Sequence, residues 1–275
     1  MLEDILKQIV VDNRQKGVPN AVTVNYLKEY IQYLVLNLLY NHRFYQKLVF
    51  KGGSCLRVCF NLPRLSEDLD FDYSQKKFKG NLLTSLQEYL LYEIKNKHFT
   101  NLESKVQSTV RLYLKFPILR RLGIAAPFES DKLYVKIETT DKLAPHAGFT
   151  LTPISQFGFN FIVYNYDLPT LMSGKINAIL KRLWFKGRQN EIDIKGRDFY
   201  DLHWFLKKGV VPNWKMLTAL TGIKTNKQLQ TVLKEKVRKA ITYQKLNYDL
   251  RNFISDQEFV ANFSRNYTEI IKKYF

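Results

Sequence analysis

The 275-residue chain contains 45% hydrophobic and 14% aromatic residues, a composition that excludes a disordered chain and is sufficient for a sizeable core. Its 43 Lys and Arg outnumber 25 Asp and Glu, so the formal net charge is +18. A charge of this size concerns partners rather than fold, and it favours nucleic acid first and an anionic membrane surface second. The alternative is a basic composition common to all proteins of a lysine-rich proteome.

The sequence predicts a cytoplasmic protein with no membrane partner. The most apolar stretch, residues 30–40, is too short to cross a membrane, and acidic residues near the start of the chain do not fit a secretory signal. Cys55 and Cys59 lie one helical turn apart in an apolar run. This spacing is typical of free buried thiols in a reducing compartment.

Hydrophobic periodicity divides the chain into two parts, residues 1–167 and 168–275. In the first part, helices are predicted over 22–42, 54–61 and 79–97, and strands over 48–50, 69–73, 110–116, 133–138 and 157–166. In the second part, amphipathic helices are predicted over 169–187, 196–208, 226–243 and 256–273. The expected fold is an α/β domain with a mixed sheet, followed by a C-terminal helical bundle.

The stretch KGGSCLRVCFNLPRLSEDLDFDYS, residues 51–74, carries the clearest chemical pattern. Asp68, Asp70 and Asp72 alternate along a predicted strand, so their side chains share one face. Carboxylates in this arrangement repel one another unless a cation lies between them, and their hard oxygens suit Mg²⁺. Asp68 and Asp70 are the predicted ligands, and Asp72 lies one step further along the strand.

Gly52 and Gly53 precede this strand and open a predicted helix, for which Ser54 is the expected N-cap. Glycines let the backbone approach a ligand closely, and the amides of a helix N-terminus favour phosphate. A phosphate site beside metal-binding carboxylates suits nucleotide transfer from a triphosphate. Neither an EF-hand nor a P-loop fits, because their required glycine and Gly-Lys-Ser/Thr positions are absent. A solvated acidic strand beside a helix-capping turn is the alternative.

The motif GGS followed by SEDLDFD resembles the polymerase-β-like nucleotidyltransferase signature. In its longer form, KGGS…LPRLSEDLDFD, it resembles the AbiEii family of nucleotidyltransferase toxins, which includes the MenT toxins. The resemblance spans about residues 48–206 and implies a nucleotidyltransferase mixed-sheet core. It also implies nucleotide binding by Gly52, Gly53 and Ser54 and metal binding by the Asp68–Asp70 pair.

Three downstream segments extend the resemblance. LYVKIETTD (133–141) supplies Glu138 as a third metal ligand, although a salt bridge with Lys136 on a surface strand is an almost equal alternative. LMSGKINAILKRLWFKGR (171–188) supplies Lys175 to bind triphosphate, with simple solvent exposure as its alternative. KGRDFYDLHWFL (195–206) supplies Asp198, which the resemblance pairs with Lys175 to complete the nucleotide site.

The resemblance implies transfer of a nucleoside monophosphate from an NTP to an acceptor hydroxyl, with release of pyrophosphate. The implied catalytic residues are Asp68, Asp70, Lys175 and Asp198, with Mg²⁺ or Mn²⁺ as cofactor. A toxin of a type IV toxin–antitoxin or abortive-infection pair is implied, with an antitoxin encoded nearby and the tRNA 3′ end as acceptor. A basic cluster is expected to hold the RNA backbone: Lys181, Arg182, Lys186, Arg188, Lys195 and Arg197.

Two other functions remain as alternatives. The first is an AMPylation-like transferase that modifies a protein hydroxyl, which the basic charge of +18 disfavours. The second is a non-catalytic RNA-binding module on a degenerate transferase fold, which the intact Asp68–Asp70 pair disfavours.

Overall fold

A computed structural model of the chain describes residues 2–75, 78, 81–187, 189 and 191–275. Its helices are α1 (Leu2–Gln15), α2 (Asn20–Tyr40), α3 (Gly52–Phe60), α4 (Leu82–Lys97), α5 (Leu168–Lys181), α6 (Gly196–Lys207), α7 (Trp214–Thr221), α8 (Asn226–Ala240), α9 (Tyr243–Leu250) and α10 (Gln257–Lys272), with a 3₁₀ turn at Tyr45–Lys47. Its strands are β1 (Val49–Lys51), β2 (Asp68–Asp72), β3 (Glu103–Gln107), β4 (Arg111–Pro117), β5 (Lys132–Thr140), β6 (Phe149–Gln156) and β7 (Phe159–Tyr166). The predicted combination of a mixed sheet with a helical part is confirmed.

The chain forms two compact units. Unit 1 comprises Met1–Leu143 and Phe149–Asn165, and unit 2 comprises Ala144–Gly148 and Tyr166–Phe275. The short segment at 144–148 belongs to unit 2 because Gly148 accepts a hydrogen bond from the Asp167 amide (3.1 Å) and donates one to Thr170 Oγ1 (2.9 Å). The prediction placed a single boundary at residue 167 and did not assign the segment at 144–148 to the second part.

The seven strands form one sheet in the order β3-β4-β5-β2-β1-β7-β6. β2 pairs in parallel with β5, and β1 pairs in parallel with β7, whereas β1–β2, β3–β4 and β4–β5 are antiparallel. Leu69 and Phe71 of β2 and Val135 and Ile137 of β5 are buried, so one face of the central strands packs in the core. The acidic residues of β2 consequently project from the opposite face.

The β6–β7 hairpin is closed by Phe157 and Gly158, which have φ angles of 54° and 79°. Positive φ at both central residues is characteristic of the type I′ turn, whose twist matches that of the two strands. The Phe157 ring packs against Tyr30 (5.6 Å between centroids) and Tyr33 (5.0 Å) of α2. These contacts offset the strain of a left-handed conformation in a bulky residue.

Unit 2 consists mainly of helices α5–α10 around a core that includes Phe199, Leu202, Phe205 and Tyr267. Five of these six helices begin at a residue whose side chain accepts a hydrogen bond from a first-turn amide: Asp167, Asn213, Thr225, Thr242 and Asp256. The exception is α6, which begins after Lys195 and has no side-chain cap. None of the described helices combines the length and hydropathy that a membrane span requires.

The predicted helix over 169–187 is wrong at its C-terminal end. α5 ends at Lys181, and Leu183, which lies within the predicted helix, is 86% exposed. The carbonyl oxygen of Ala178 accepts the last helical hydrogen bond, from Arg182, whose extended backbone ends the helix.

Candidate active site

The first turn of α3 lies directly against the carboxylate of Asp70. Gly52 has a φ of +80°, and a Cβ atom built on it would overlap the Asp70 Oδ2 atom. Lys51 precedes the helix in an extended conformation and pairs with Asp70 across the β1–β2 ladder. Position 52 therefore requires glycine for two reasons: the left-handed backbone and the approach of the carboxylate.

Gly53 and Ser54 fix the same turn against the loop that leads into β2. A Cβ atom on Gly53 would lie 2.8 Å from both Arg64 Nη2 and Ser66 Oγ. The Ser54 hydroxyl donates to the carbonyl oxygen of Asp68. The prediction that Ser54 caps α3 is wrong, because the helix begins two residues earlier at Gly52 and the hydroxyl is used to hold β2.

The loop at 61–67 has no regular structure but is tied down by side chains. Arg57 donates to the Leu62 carbonyl (3.1 Å), and Gln32 donates to the Ser66 carbonyl (3.1 Å). Arg64 is only 2% exposed and donates to the Leu65 carbonyl (2.8 Å). A buried guanidinium thus lies below Gly53, next to the α3 N-terminus, where it adds positive charge to that end of the helix.

The polar face of β2 and β5 carries a chain of ion pairs. In the parallel register, Asp68 is opposite Lys136 and Asp70 is opposite Glu138. The Lys136 Nζ atom lies 3.0 Å from Asp68 Oδ2 and 2.9 Å from Glu138 Oε1. Arg111 Nε lies 2.7 Å from the same Glu138 oxygen. The salt bridge considered as an alternative role for Glu138 is therefore present.

The titration of this face follows from its charges. Partial burial raises the pKa of Glu138, but hydrogen bonds and charge from Lys136 and then Arg111 outweigh it, so the pKa lies below its ordinary value. Burial lowers the pKa of Lys136, but the charge of Asp68 and the bonds to both carboxylates outweigh it and leave the pKa raised. Glu138 and Lys136 consequently carry their full charge at neutral pH.

Asp72 belongs to a separate pair on the same strand. It is 4% exposed, and its Oδ1 atom lies 2.5 Å from Lys51 Nζ. Lys51 also donates to Thr140 Oγ1 at 3.3 Å. The buried Asp72 thus has a cationic partner of its own, the partly exposed Lys51 of the neighbouring strand β1.

The carboxylates of this face fit a divalent cation only in part. Among the described residues, no group of three His, Cys, Asp or Glu side chains could hold a metal ion unaided. Asp68 and Asp70 share one face of the sheet. The Asp70 carboxylate occupies the space that a Cβ atom on residue 52 would otherwise fill. Mg²⁺ is commonly bound by one or two carboxylates together with substrate phosphates. Asp68 and Asp70 would supply the carboxylates, and the phosphates of a substrate would supply the remaining oxygen ligands.

Unit 2 contains a second, more deeply buried cluster. Lys175 Nζ lies 2.8 Å from Asp198 Oδ1 and 2.8 Å from Asp201 Oδ2, and Arg182 Nη1 lies 2.6 Å from Asp198 Oδ2. The exposed fractions of the side chains are 12% for Lys175, 4% for Asp198 and 0% for Asp201. Simple solvent exposure of Lys175 is therefore excluded.

Burial alone would raise the pKa of Asp198, but the charges of Lys175, Arg182 and Lys195 outweigh it and lower the pKa to about 2. Asp198 and Asp201 both reach Lys175 because they are one helical turn apart and therefore lie on the same side of α6. The cluster fixes the Lys175 ammonium between two carboxylates.

A family model of the AbiEii nucleotidyltransferase toxin, of type IV toxin–antitoxin systems, matches residues 35–275. The chain belongs to this family. It is thus a nucleotidyltransferase and a toxin of the type IV class. No curated protein matches the chain by sequence.

Two solved structures from Helicobacter pylori resemble this AbiEii-family chain. One is JHP933, with 20% identity and a TM-score of 0.45 over 91% of this chain and 93% of that chain. The other is described as a proposed nucleotidyltransferase, with 19% identity and a TM-score of 0.45 over 90% of this chain and 94% of that chain. At these values, neither structure assigns a role to a residue here.

The basic cluster predicted in this AbiEii-family chain is only partly suited to RNA. Arg197 is 8% exposed, its Nε atom lies 3.3 Å from Asp249, and its guanidinium lies 3.7 Å from the Phe253 ring centre. The prediction that Arg197 contacts RNA is wrong, because α9 and the turn after it already enclose its guanidinium. Arg188, another member of the cluster, lies outside the described residues.

Two charged residues of the AbiEii-family chain, Arg64 and Asp201, acquire roles that the sequence pattern did not assign, and Lys136 has a second partner, Asp68, besides the Glu138 of the alternative salt bridge. Arg64 lies below the glycine turn, Lys136 bridges two carboxylates, and Asp201 shares Lys175 with Asp198. Arg64 and Asp201 had a signal, since each is a charge inside an apolar stretch. The sequence signal for Lys136 was weaker, because its proximity to Asp68 depends on the register of two parallel strands.

Proposed function

We propose that this chain transfers a nucleoside monophosphate from an NTP to a hydroxyl group of an RNA, most specifically the 3′ end of tRNA. The observation that carries the proposal is the approach of the α3 N-terminus to Asp70 at Gly52. A helix N-terminus attracts phosphate, and a carboxylate pair attracts a divalent cation. The two preferences meet at one point of unit 1, which is what an NTP–metal complex requires.

The proposed reaction joins the acceptor oxygen to the α-phosphorus of the NTP. The bond between the α-phosphorus and the bridging oxygen breaks, pyrophosphate leaves, and the acceptor hydroxyl loses one proton. Asp68 and Asp70 would hold Mg²⁺ or Mn²⁺, which supplies charge neutralisation on the phosphates and a more acidic acceptor hydroxyl. Glu138 remains a proposed third ligand, and it would bind the metal ion while accepting hydrogen bonds from Lys136 and Arg111.

The backbone of the glycine turn has a defined part in this proposal. Gly52 and Gly53 would let phosphate oxygens approach the first amides of α3, where the helix dipole is positive. Ser54 would act mainly through its position, because its hydroxyl already donates to Asp68. This differs from a direct side-chain bond to the nucleotide.

Lys175 and Asp198 are the proposed nucleotide-binding residues of unit 2. The two aspartates hold the Lys175 ammonium in one place, so its charge is oriented before any ligand arrives. Orienting a cation in advance lowers the entropic cost of binding a triphosphate. Asp198 would therefore contribute by positioning Lys175.

RNA is the proposed acceptor because the chain carries a net charge of +18. Basic side chains bind the phosphate backbone without regard to base sequence, so charge supports RNA in general and not one sequence. The choice of the tRNA 3′ end rests on the family. A cognate antitoxin is the proposed partner for the same reason.

The test is incubation of the purified protein with total tRNA, Mg²⁺ and each radiolabelled NTP in turn. Asp68→Asn is the inactive variant, and Asp12→Asn is the matched control, because Asp12 is an exposed aspartate of α1. A second control uses tRNA oxidised with periodate, which lacks the 3′-terminal diol. We expect label on intact tRNA with the wild type and the Asp12 variant only.

The other outcomes distinguish the alternatives. Label on protein but not on RNA would indicate an AMPylation-like enzyme. RNA binding without labelling, unchanged by Asp68→Asn, would indicate a binding module on an inactive fold. Equal labelling of periodate-oxidised tRNA would move the acceptor hydroxyl away from the 3′ end.

A further inference from the structure

Strands β3, β4 and β5 of unit 1 present a polar face that continues from the carboxylates of β2. Residues such as Leu114 of β4 and Val135 of β5 are buried, so the residues that alternate with them point to the other side of the sheet. On these three strands that side carries five cations, two carboxylates and two tyrosines: Lys105, Arg111, Lys115, Lys132 and Lys136; Glu103 and Glu138; Tyr113 and Tyr134. The face is therefore basic and aromatic where the adjoining β2 is acidic.

The strand register aligns this face with the active-site carboxylates. Lys105 is opposite Tyr113, Tyr113 is opposite Lys136, and Lys136 is opposite Asp68. Neighbouring strands lie about 4.8 Å apart, so the backbone of Tyr113 is about 10 Å, and that of Lys105 about 14 Å, from that of Asp68. A chain molecule whose end lies at the β2 carboxylates can therefore continue across these residues.

The cations of the face exceed what its carboxylates neutralise. Glu103 Oε2 lies 2.6 Å from Lys132 Nζ, and Glu138 is occupied by the ion pairs of the active site. Within the described part of the chain, Lys105 and Lys115 form no ion pair. Both positions are at least partly exposed, so an anion can bind there without uncovering buried charge.

The two tyrosines present rings that no other ring covers. Tyr134 is 40% exposed, and Tyr113 is partly exposed. Among the described residues neither of them contacts another aromatic ring, in contrast to Phe149 and Tyr164, whose stacked rings are 5.4 Å apart. Lys115 is opposite Tyr134 in the β4–β5 pair, so a cation stands beside the more exposed ring. An accessible ring can stack on any nucleic-acid base, because every base has a flat face.

We propose that this face binds the single-stranded segment of an RNA that directly precedes the acceptor hydroxyl. The binding residues, here called the β3–β5 platform, are Lys105, Tyr113, Lys115, Lys132 and Tyr134. The lysines contact phosphates and the rings stack on bases, which matches a polymer that brings one charge and one flat base per unit. The inference rests on the proposed transfer to RNA. It assigns the acceptor to a surface within unit 1 that shares no residue with the basic cluster expected from the sequence.

The test measures RNA binding apart from transfer. A fluorescent single-stranded oligoribonucleotide is titrated with the full chain, without NTP or divalent metal, at several salt concentrations. The charge variant combines Lys105→Gln with Lys115→Gln. Its matched control combines Lys16→Gln with Lys47→Gln, because these are exposed lysines of unit 1 that lie outside the sheet.

The charge variant is expected to lose affinity and salt dependence together. Each phosphate contact of a single strand contributes about 0.7 to the slope of log affinity against log salt, so the slope should fall by about 1.4. The control variant loses the same charge and should keep a slope near that of the wild type. An equal fall in both variants would assign RNA binding to overall charge and overturn the platform.

The ring variant, Tyr134→Leu, is expected to weaken RNA binding by about tenfold without changing the salt slope, because stacking is lost and charge is kept. Tyr134→Phe should retain the wild-type affinity. Tyr92→Leu is the control, because Tyr92 is 65% exposed on α4. Wild-type affinity in Tyr134→Leu, or an equal loss in Tyr134→Phe, would overturn the stacking role.

Transfer assays separate this inference from the proposed function. In the charge variant the KM for tRNA should rise, while kcat and the KM for NTP stay near their wild-type values. The predicted binding changes without any labelling of RNA would support the platform and contradict the proposed function. Labelling of tRNA with an unchanged KM in the charge and ring variants would do the reverse. If the wild type does not bind RNA and labels a protein less well in the charge variant, the face serves a protein acceptor and the platform is overturned.

Discussion

The two charged clusters of this protein are built on different principles. In unit 1, Asp68, Lys136 and Glu138 are between 24% and 32% exposed, and each cation touches a carboxylate that also faces solvent. In unit 2, Asp198 and Asp201 are 4% and 0% exposed around a single lysine. The first cluster can exchange partners with a ligand at low cost, whereas the second can do so only by uncovering buried charge.

The difference in burial decides which carboxylates are available to a ligand and which ones stabilise the fold. A partly exposed carboxylate costs little to release from its lysine, because water and a metal ion can both replace the ammonium. A buried carboxylate left without a cation retains the full cost of its lost hydration. Substitutions are therefore expected to act first on ligand chemistry in unit 1, and on both folding and the proposed nucleotide binding in unit 2.

The largest effect is expected for Lys175→Met, which leaves Asp198 and Asp201 buried without their shared ammonium. Breaking a buried ion pair by removing one partner destabilises a fold by about 3–5 kcal/mol. The free energy of unfolding from a urea titration measures the change. Lys215→Met, on α7, is the control, since Lys215 is exposed and substitutions at exposed sites usually change stability by less than about 0.5 kcal/mol. Equal stability of the two variants would remove the distinction between the clusters.

An intermediate effect is expected for Gly52→Ala. The alanine would have to keep the left-handed backbone conformation of Gly52, which costs about 1–2 kcal/mol, and its Cβ atom would displace the Asp70 carboxylate. We expect loss of both stability and nucleotidyl transfer. Gly17→Ala is the matched control, because Gly17 also has a positive φ, of +68°, but its Cβ would meet no atom within 4 Å.

In Gly17→Ala we expect the same strain with normal activity, measured by thermal melting and by labelling of the acceptor. If both alanine variants keep full activity, the close approach of Gly52 to Asp70 has no functional value.

The smallest effect on stability is expected for Glu138→Gln. Partly exposed ion pairs contribute about 1 kcal/mol or less, so melting should change little. As a proposed metal ligand, however, Glu138 should matter for binding, and we expect Mn²⁺ affinity to fall by roughly tenfold. Calorimetric titration with Mn²⁺ measures it, with the exposed Glu103→Gln as control. Unchanged affinity would leave Glu138 as a partner of Lys136 and Arg111 only.

The central part of the sheet could be predicted from the sequence, but its edges could not. Strands β4, β5 and β7 alternate between buried and exposed residues, and the predictions over 110–116, 133–138 and 157–166 match them closely. The missed strands, β3 and β6, are the two edges of the sheet. Neither contains a buried residue, so hydrophobic alternation, the signal that identifies a strand, is weak there.

The site shows the same limit at the level of residues. Alternation placed Asp68 and Asp70 on one face, because that depends only on neighbouring positions in one strand. The position of Lys136 between Asp68 and Glu138 depends on the register of two parallel strands in which Asp68 pairs with a residue 68 positions away, and no local pattern encodes it. Lys195 was expected in a basic cluster that holds RNA, but it is only partly exposed and lines a small cavity with residues of α5, α6 and α8.

The loop at 61–67 sets the position of the carboxylates without any helix or strand. Side chains of Gln32, Arg57 and Arg64 satisfy its carbonyl oxygens, and Ser54 ties the Asp68 carbonyl next to it. Because its carbonyl oxygens are held by side chains, such a segment should resist proteases in solution although it has no regular structure. Conformational change that admits a nucleotide would then leave this loop unmoved, and the carboxylates would act as a fixed reference point for the arriving triphosphate.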